Sequence, residues 1–568
     1  MAQENNYWTE VFHKRISRRR ALGVAARASL GVAGAALLGC AATPAPTPTK
    51  ALAVSPAAAT PTLRPAVTST PVAKTLDKLV IAHTRDIPSL DPQVQSGNIS
   101  QGGYWDMLTD TLVTLAREEE SLKLVPGLAT SWKVMEDDPR TWEFKLRQGV
   151  KFHNGEEFDA DTVVYNIDRN KDPVLKLNMM PYVKDATAKA IDKYTARLTW
   201  PQPYPLAAAR LVGFPIVPRK YIQENGEKIM SEKPIGTGYY KFVKWVKDDY
   251  VEMEWAGSHW RGKTPTAKTV IQKVIPEIAP RIAALQTGAA DVIFDIPPDL
   301  VSDVSKDPNV GIYKSTNTAV PNFGISQMKE GPLRDKRVRL ALNLAIDRET
   351  IVKTMFGGFY QVVPDTVVPL AFGYNADLKP YPYDAKKAKD LLAEAGYPNG
   401  FDTVIDMGKV AYPRYKEYTQ AIAEYWRQIG VKATIRPQEG AASWSDWGME
   451  VRTAGKGPEG VYLQGYCDCL LDADDTWRYY TTWDPKAGSG TYSWIEDAKL
   501  DKMVADSRST MDLEKRKKLL QEIQAYNHEQ AYAIPLWVAT FNWGYAKKRI
   551  KNLYARLFRV FVWDVELA

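Results

Sequence analysis

The sequence predicts an α/β protein built as two or more lobes, and three observations carry that expectation. The chain is 568 residues long, beyond what one compact hydrophobic core organises, so it divides. From about residue 320 onward, apolar stripes at helical spacing lead directly into a short alternating run, the order that layers helices on a sheet. A further run of buried-strand character, residues 533–538, comes so late that the chain is expected to return to its first lobe and finish that lobe's sheet. No fixed-period repeat is present.

The elements follow in order. Residues 1–39 start with a basic segment around Lys14, Arg15 and Arg18–Arg20, continue into an Ala/Gly-rich, mildly apolar stretch, and end in small residues. That is the layout of an export signal. Ser17-Arg18-Arg19 with Leu22 resembles a twin-arginine signal, and Leu37-Leu38-Gly39-Cys40 resembles a lipobox, which implies cleavage before Cys40 and lipidation of its sulfur. Residues 40–75 are almost all Ala, Thr, Pro, Ser and Val, a composition that cannot bury a core and forms a proline-stiffened tether. The folded chain starts near Leu76.

Leu79-Val80-Ile81-Ala82 reads as a buried strand. Residues 141–147 alternate, with Trp142, Phe144 and Leu146 on one face and Glu143, Lys145 and Arg147 on the other, so a half-buried strand is expected. Asp159 is placed to cap a helix carrying Val163, Val164 and Ile167. Gly236-Thr237-Gly238 precedes a strand over 239–246. Residues 335–354 place Val338, Ala341, Leu342, Ala345 and Ile346 at helical spacing, stopped by Gly357-Gly358. Asp384 caps a helix that ends before Gly396. Tyr418, Ile422, Tyr425, Trp426 and Ile429 form a stripe closed by Gly430, then Val431, Ala433 and Ile435 alternate as a strand. A charged helix covers 512–530.

Composition excludes some functions. Hydrophobic residues make up 45% and charged residues 25% of the chain, the balance of a globular protein. Without the six basic and two acidic residues of 1–39, the net charge falls from +7 to +3. With no Lys/Arg-rich run in the remainder, nucleic acid is excluded as a partner. HExxH, GxSxG and GxxxxGK[ST] are absent, so the sequence supports no hydrolase or ATPase chemistry. Residues 455–460 fit GxGxxG literally, but Pro458 and the polar stretch before it argue against a nucleotide fingerprint.

Residues 461–477, VYLQGYCDCLLDADDTW, concentrate chemistry: Cys467 and Cys469, then Asp468, Asp472, Asp474 and Asp475, framed by Tyr462, Tyr466 and Trp477. Metal site, redox pair and ligand-contact segment are the readings. A metal centre would need further soft or imidazole ligands. The histidines after the leader (His83, His153, His259 and His528) are scattered, so buried thiols or a disulfide are favoured over a metal, and no cofactor is expected.

Several segments together resemble the family 5 extracellular solute-binding proteins, the peptide- and nickel-type receptors of ABC importers. They are Pro126-Gly127-Leu128-Ala129-Thr130-Ser131-Trp132, TWEFKLRQGVKFHNGEEFDADTVVYNIDR over 141–169, PIGTGYYKF over 234–242, RDKRVRLALNLAIDRETIV over 334–352, YDAKKAKDLLAEAGYP over 383–398 and AYAIPLW over 531–537. The resemblance spans about residues 76–545. It implies the large type II periplasmic-binding-protein fold, two α/β lobes with a hinge crossed twice: lobe I over 76–315, lobe II over 316–534 and a return to lobe I over 535–568.

By the same resemblance, Tyr466-Cys467-Asp468-Cys469 occupies the place where peptide carriers hold the ligand's ammonium on an aspartate. Here Cys469 stands where the acid is expected and Asp468 comes one residue early, so Asp472 is an alternative partner. Trp444 and Trp447 are the expected aromatic contacts. Lys409, with Arg414 as a second candidate, stands near the position that meets a ligand carboxylate. The expectation is a monomeric, lipid-anchored, extracytoplasmic receptor and not an enzyme. It would deliver a small organic ligand, a short peptide, to an ABC permease. An oligosaccharide receptor is the alternative, since sugars stack on Trp and need no acid. A glycoside hydrolase using Asp472 and Asp474 is more distant, because carboxylates two residues apart do not face each other across a sugar.

Overall fold

A computed structural model describes residues 75–94, 103–115, 123–175, 177, 183, 185–316, 319–327, 330–407, 413–437, 458–467, 472–477, 480–482, 494–556 and 559–568. The export signal and Cys40 lie outside the described residues, as does the tether except for Thr75 at its end. No helix among the described residues is long and apolar enough to cross a membrane.

Two large sheets organise the chain. The first has seven strands: Val310–Thr316, Thr540–Ala546, Val292–Ile293, Leu76–His83, Ala267–Val274, Tyr250–Trp255 and Tyr240–Val246, in that spatial order. At its centre Leu76–His83 runs parallel to both neighbours, Ala267–Val274 and Val292–Ile293. Leu79, Ile81, Val270 and Trp543 are fully buried beneath it. A four-stranded sheet of Ala129–Val134, Thr141–Leu146, Thr195–Thr199 and Thr187–Asp192 extends this lobe, with its own core of Phe144, Val163, Ile167 and Leu198.

The second large sheet has five strands, in the order Lys432–Pro437, Asp402–Met407, Val461–Cys467, Ala319–Ile325 and Ala533–Pro535. Phe323, Ile405, Trp426, Leu463 and Trp537 fill one core beside it. The chain passes from the first sheet to the second between Thr316 and Ala319, and back between Val538 and Thr540.

Local signals fold as their chemistry requires. Asp159 Oδ1 accepts from Thr162 N at 2.8 Å, and Asp384 Oδ1 from Lys387 N at 2.8 Å, so both cap as expected. Gly357, Gly396 and Gly430 take φ of 60°, 91° and 90° at helix ends. Around Gly236-Thr237-Gly238 a Cβ at either glycine would come within 2.3 Å of the backbone oxygen of Leu108 or Met107. The close approach sets Thr237 against Asp110, whose carboxylate accepts its hydroxyl at 3.0 Å.

Three expectations need correction. The run 533–538 stays with the second lobe: Ile534 pairs with Phe323, and Trp537 with Val362. Thr540–Ala546 is the strand that completes the first sheet, so the return crossing lies later than residue 535. The stripe over 335–354 is two helices, Lys336–Leu344 and Arg348–Phe356. Asp347 starts the second by accepting from Thr350 N at 2.9 Å, a local bond that competes with continuing the first. Glu143 on the polar face of Thr141–Leu146 is buried, because Arg197 holds it at 2.8 Å.

Candidate functional site

Val461–Cys467 is an interior strand, antiparallel to Ala319–Ile325, with Tyr466 opposite Val320 and Gln464 opposite Asn322. Val461, Tyr462 and Leu463 are buried, and Gly324 is glycine for cause: a Cβ there would lie 2.2 Å from the Tyr462 ring. This backbone carries Tyr466 to the strand's C-terminal end. Asp468, Cys469, Lys409, Trp444 and Trp447 lie outside the described residues, and for Tyr466 only the backbone position is described.

The chain is again described at Asp472, which bridges Phe372, and at the helical turn Asp474–Trp477. Asp472 Oδ1 accepts from Asp474 N at 3.0 Å and starts the turn. Its side chain is not offered to a ligand. Arg516 donates to both carboxylate oxygens, at 2.6 Å from Nη1 and 2.8 Å from Nη2, and both residues are buried. Burial pushes the Asp472 carboxyl up, Arg516 opposes that, and neighbouring Asp474 adds to it. A ligand ammonium would have to displace a bidentate guanidinium, so Asp472 shapes the segment instead of holding a cation.

Asp474 is engaged in the same way, by Arg508 Nε at 2.6 Å. Burial raises its pKa, but Arg508, Arg516 and Arg210 together outweigh that and hold it below the ordinary carboxylate range. Asp475 meets Arg210 Nη1 at 3.5 Å, with both side chains almost fully buried. Arg210 ends the Ala207–Arg210 helix, which packs on the core of the four-stranded sheet, and its Nε donates to the Tyr204 hydroxyl at 2.8 Å. The Arg210–Asp475 pair therefore crosses between the lobes. Nothing in the sequence tied Arg210, Arg508 and Arg516 to this segment; the fold alone brings them together. Arg414, the second carboxylate candidate, donates to the Met355 carbonyl at 2.8 Å and has φ of 58° at the start of Tyr415–Gln428.

On the first lobe, Leu76–His83 and Val292–Ile293 are parallel, and their C-terminal ends face the hinge crossing. Such strand ends are where open α/β sheets receive ligands. His83 ends the first strand, 4% exposed, with hydrogen-bond partners among the described residues for neither ring nitrogen. Phe294 and Trp543 stand at ring-centre distances of 6.0 and 6.5 Å. Burial, with Arg281 nearby, holds the imidazole down at about 4, so it is neutral at pH 7. Phe294 and Asp295 follow the second strand, and the backbone of Asp295 has φ of 60°.

Among the described residues, no group of three or more His, Cys, Asp or Glu side chains could hold a metal ion. The carboxylates of the Asp472–Asp475 turn are matched by Arg516, Arg508 and Arg210, an arrangement that can bring two lobes together and can stabilise no reaction intermediate without giving up a partner.

Comparison with known proteins agrees with this architecture. Residues 123–488 match the family model for bacterial extracellular solute-binding proteins, family 5 Middle. The glutathione-binding protein GsiB of Escherichia coli O1:K1 / APEC is 28% identical over 473 residues, covering 81% of this chain and 89% of that protein. Heme-binding protein A of Haemophilus influenzae is 28% identical over 448 residues, covering 73% and 79%. Among solved structures, the ABC transporter-associated periplasmic binding protein DppA from Helicobacter pylori, in complex with the peptide STSA, superposes with a TM-score of 0.68 at 25% identity, over 87% of this chain and 98% of that one. These members are two-lobed receptors and not enzymes. The chain belongs to the family 5 bacterial extracellular solute-binding proteins.

Proposed function

We propose that this protein is the lipid-anchored receptor of an ABC importer, held outside the cytoplasm through Cys40 and the 40–75 tether, which captures a short peptide between its lobes and delivers it to the permease. The observation that carries the ligand class is the near-complete coverage of relatives named for glutathione and solved with a bound peptide. Closure is the working step. A ligand touched by both lobes favours the closed arrangement by its differential affinity for the two states, and the closed form is what the permease reads. The Arg210–Asp475 pair supports this reading, because it exists only where the lobes meet.

The test is a thermal-shift screen of the chain against glutathione, di- to pentapeptides, oligosaccharides, haem and nickel. A ligand at 100 times its Kd adds about 2.7 kcal/mol of stability. Peptides or glutathione should raise the melting point; a shift by oligosaccharide or haem and by no peptide refutes the peptide assignment. A Cys40→Ala variant expressed in cells should leave the membrane fraction, and retention there refutes the anchor.

A further inference from the structure

Asp295 stands out among the carboxylates of the first lobe. It follows Val292–Ile293 at the sheet edge nearest the hinge: Ile296 N donates to Asn542 O at 2.9 Å, and Asn542 Nδ2 returns a bond to Ile296 O at 3.0 Å. Asn542 belongs to the strand that begins with Thr540, opposite Thr316, where the chain first leaves the lobe. From the other lobe comes Tyr360, directly before Gln361–Val362, whose partner Trp537–Val538 precedes the return crossing. Burial, with the fields of Asp295 and Asp299, pushes the Tyr360 phenol up, and neighbouring Phe359 packs against the first-lobe cluster that holds Ile293 and Ile296.

The segment is built to hold its shape. Arg281 is buried and donates to four carbonyls: Ile275 and Pro276 at 2.7 Å each, Phe294 at 3.0 Å and Asp295 at 3.3 Å. It therefore fixes the backbone of Asp295 while binding no oxygen of its carboxylate. That carboxylate makes no hydrogen bond or ion pair among the described residues, though it is only partly exposed. Enclosure without a partner pushes its pKa up, with Arg281 opposing. A φ of 60° at a non-glycine residue adds backbone cost. An enclosed acid, rigidly mounted, with Arg281 near its backbone but no direct partner on its carboxylate among the described residues, is completed by a donor cation brought from outside.

We propose that Asp295 is a cation-selecting residue of the ligand cleft, binding an ammonium or guanidinium group of the ligand. This rests on the peptide reading above and deepens it by naming the charge the ligand must carry. The group could be the peptide's amino terminus or a basic side chain, and the two are separable.

The experiment is isothermal titration of the full chain with three tripeptides: acetyl-Ala-Lys-Ala, Ala-norleucine-Ala and acetyl-Ala-norleucine-Ala. At least one cationic peptide should bind about tenfold or more tighter than the neutral one, and which one identifies the group. Asp295→Asn, which tolerates the same backbone angle, should reduce that preference to about onefold while folding normally by circular dichroism. No preference in the wild type, or a preference that survives Asp295→Asn, overturns the site and leaves the peptide reading standing. If no tripeptide binds, the peptide reading falls and spermidine becomes the probe. Spermidine binding that is lost in Asp295→Asn supports the site; absent or unchanged binding overturns it.

Discussion

Two buried groups give this protein a pH dependence that is hidden until one of them is removed. Asp365, 1% exposed in the second lobe, is pushed up by burial to about 7; the groups that oppose the shift, Thr366 and Asn527, are uncharged. Asn527 Nδ2 donates to Asp365 Oδ1 at 2.8 Å, while Asp365 Oδ2 and Asn527 Oδ1 both lack a partner among the described residues. A proton on Oδ2 supplies the missing donor, so the neutral acid is the form the fold favours. Between the unfolded value near 3.9 and the folded value of about 7, the native state holds one proton more than the unfolded one. Stability from this group is complete below pH 4 and is lost as pH rises through 7. His83 in the first lobe behaves oppositely. Its folded value of about 4 lies below the unfolded 6.5, so stability is present above 6.5 and is lost as pH falls toward 4. Each group contributes a slope of about 1.4 kcal/mol per pH unit between pH 4.5 and 6.5, and the slopes have opposite sign. Urea unfolding followed by tryptophan fluorescence at those two pH values reads them. Relative to the wild type, Asp365→Asn should lose about 2–3 kcal/mol on acidification and His83→Leu should gain a similar amount. Other carboxylates add one common background to all three proteins. Parallel profiles for wild type and variants would refute the reasoning.

Further outcomes follow from the site. Arg516→Met leaves Asp472 buried and uncompensated and should cost about 3–5 kcal/mol, with Asp472→Asn in the same chain recovering most of it. Denaturant titration checks both, and a double variant no more stable than the single one refutes the pairing energetics. Arg210→Met leaves Asp475 buried without its cross-lobe partner, so it should cost about 1–3 kcal/mol in denaturant titration, and an unchanged midpoint refutes the pairing. Gly324→Ala drives a Cβ against the Tyr462 ring and should cost about 1–3 kcal/mol in thermal unfolding.

Much of the fold was legible because its signals are local. The caps at Asp159 and Asp384 depend on a side chain reaching backbone N–H groups within the next few residues. Gly357, Gly396 and Gly430 mark helix ends because φ there is positive. The stripe of Tyr418, Ile422 and Trp426 states its own buried face. The break at Asp347 was missed because both halves keep the apolar period across it, and only the Asp347–Thr350 bond distinguishes one helix from two. The assignment of 533–538 to the first lobe failed because a buried strand carries no label for its sheet.

The site divides along the same line. Sequence alone marked the 461–477 stretch as the place where chemistry concentrates, and family resemblance gave it a ligand-facing role. Only the tertiary structure showed that Asp472 is spent on Arg516 and Asp474 on Arg508, and that Arg210 of the other lobe answers Asp475. Those partners come from separate helices, and Arg210 comes from the opposite lobe. Asp295 carried no sequence signal at all. Its meaning comes from lying at the end of a parallel strand beside the hinge, with its backbone held by Arg281 and its carboxylate unanswered. Short-range patterning determined the elements, because caps, periods and turns are settled within a few residues. Charge pairing between elements decided which acids remain for a ligand, and only the folded chain sets those distances.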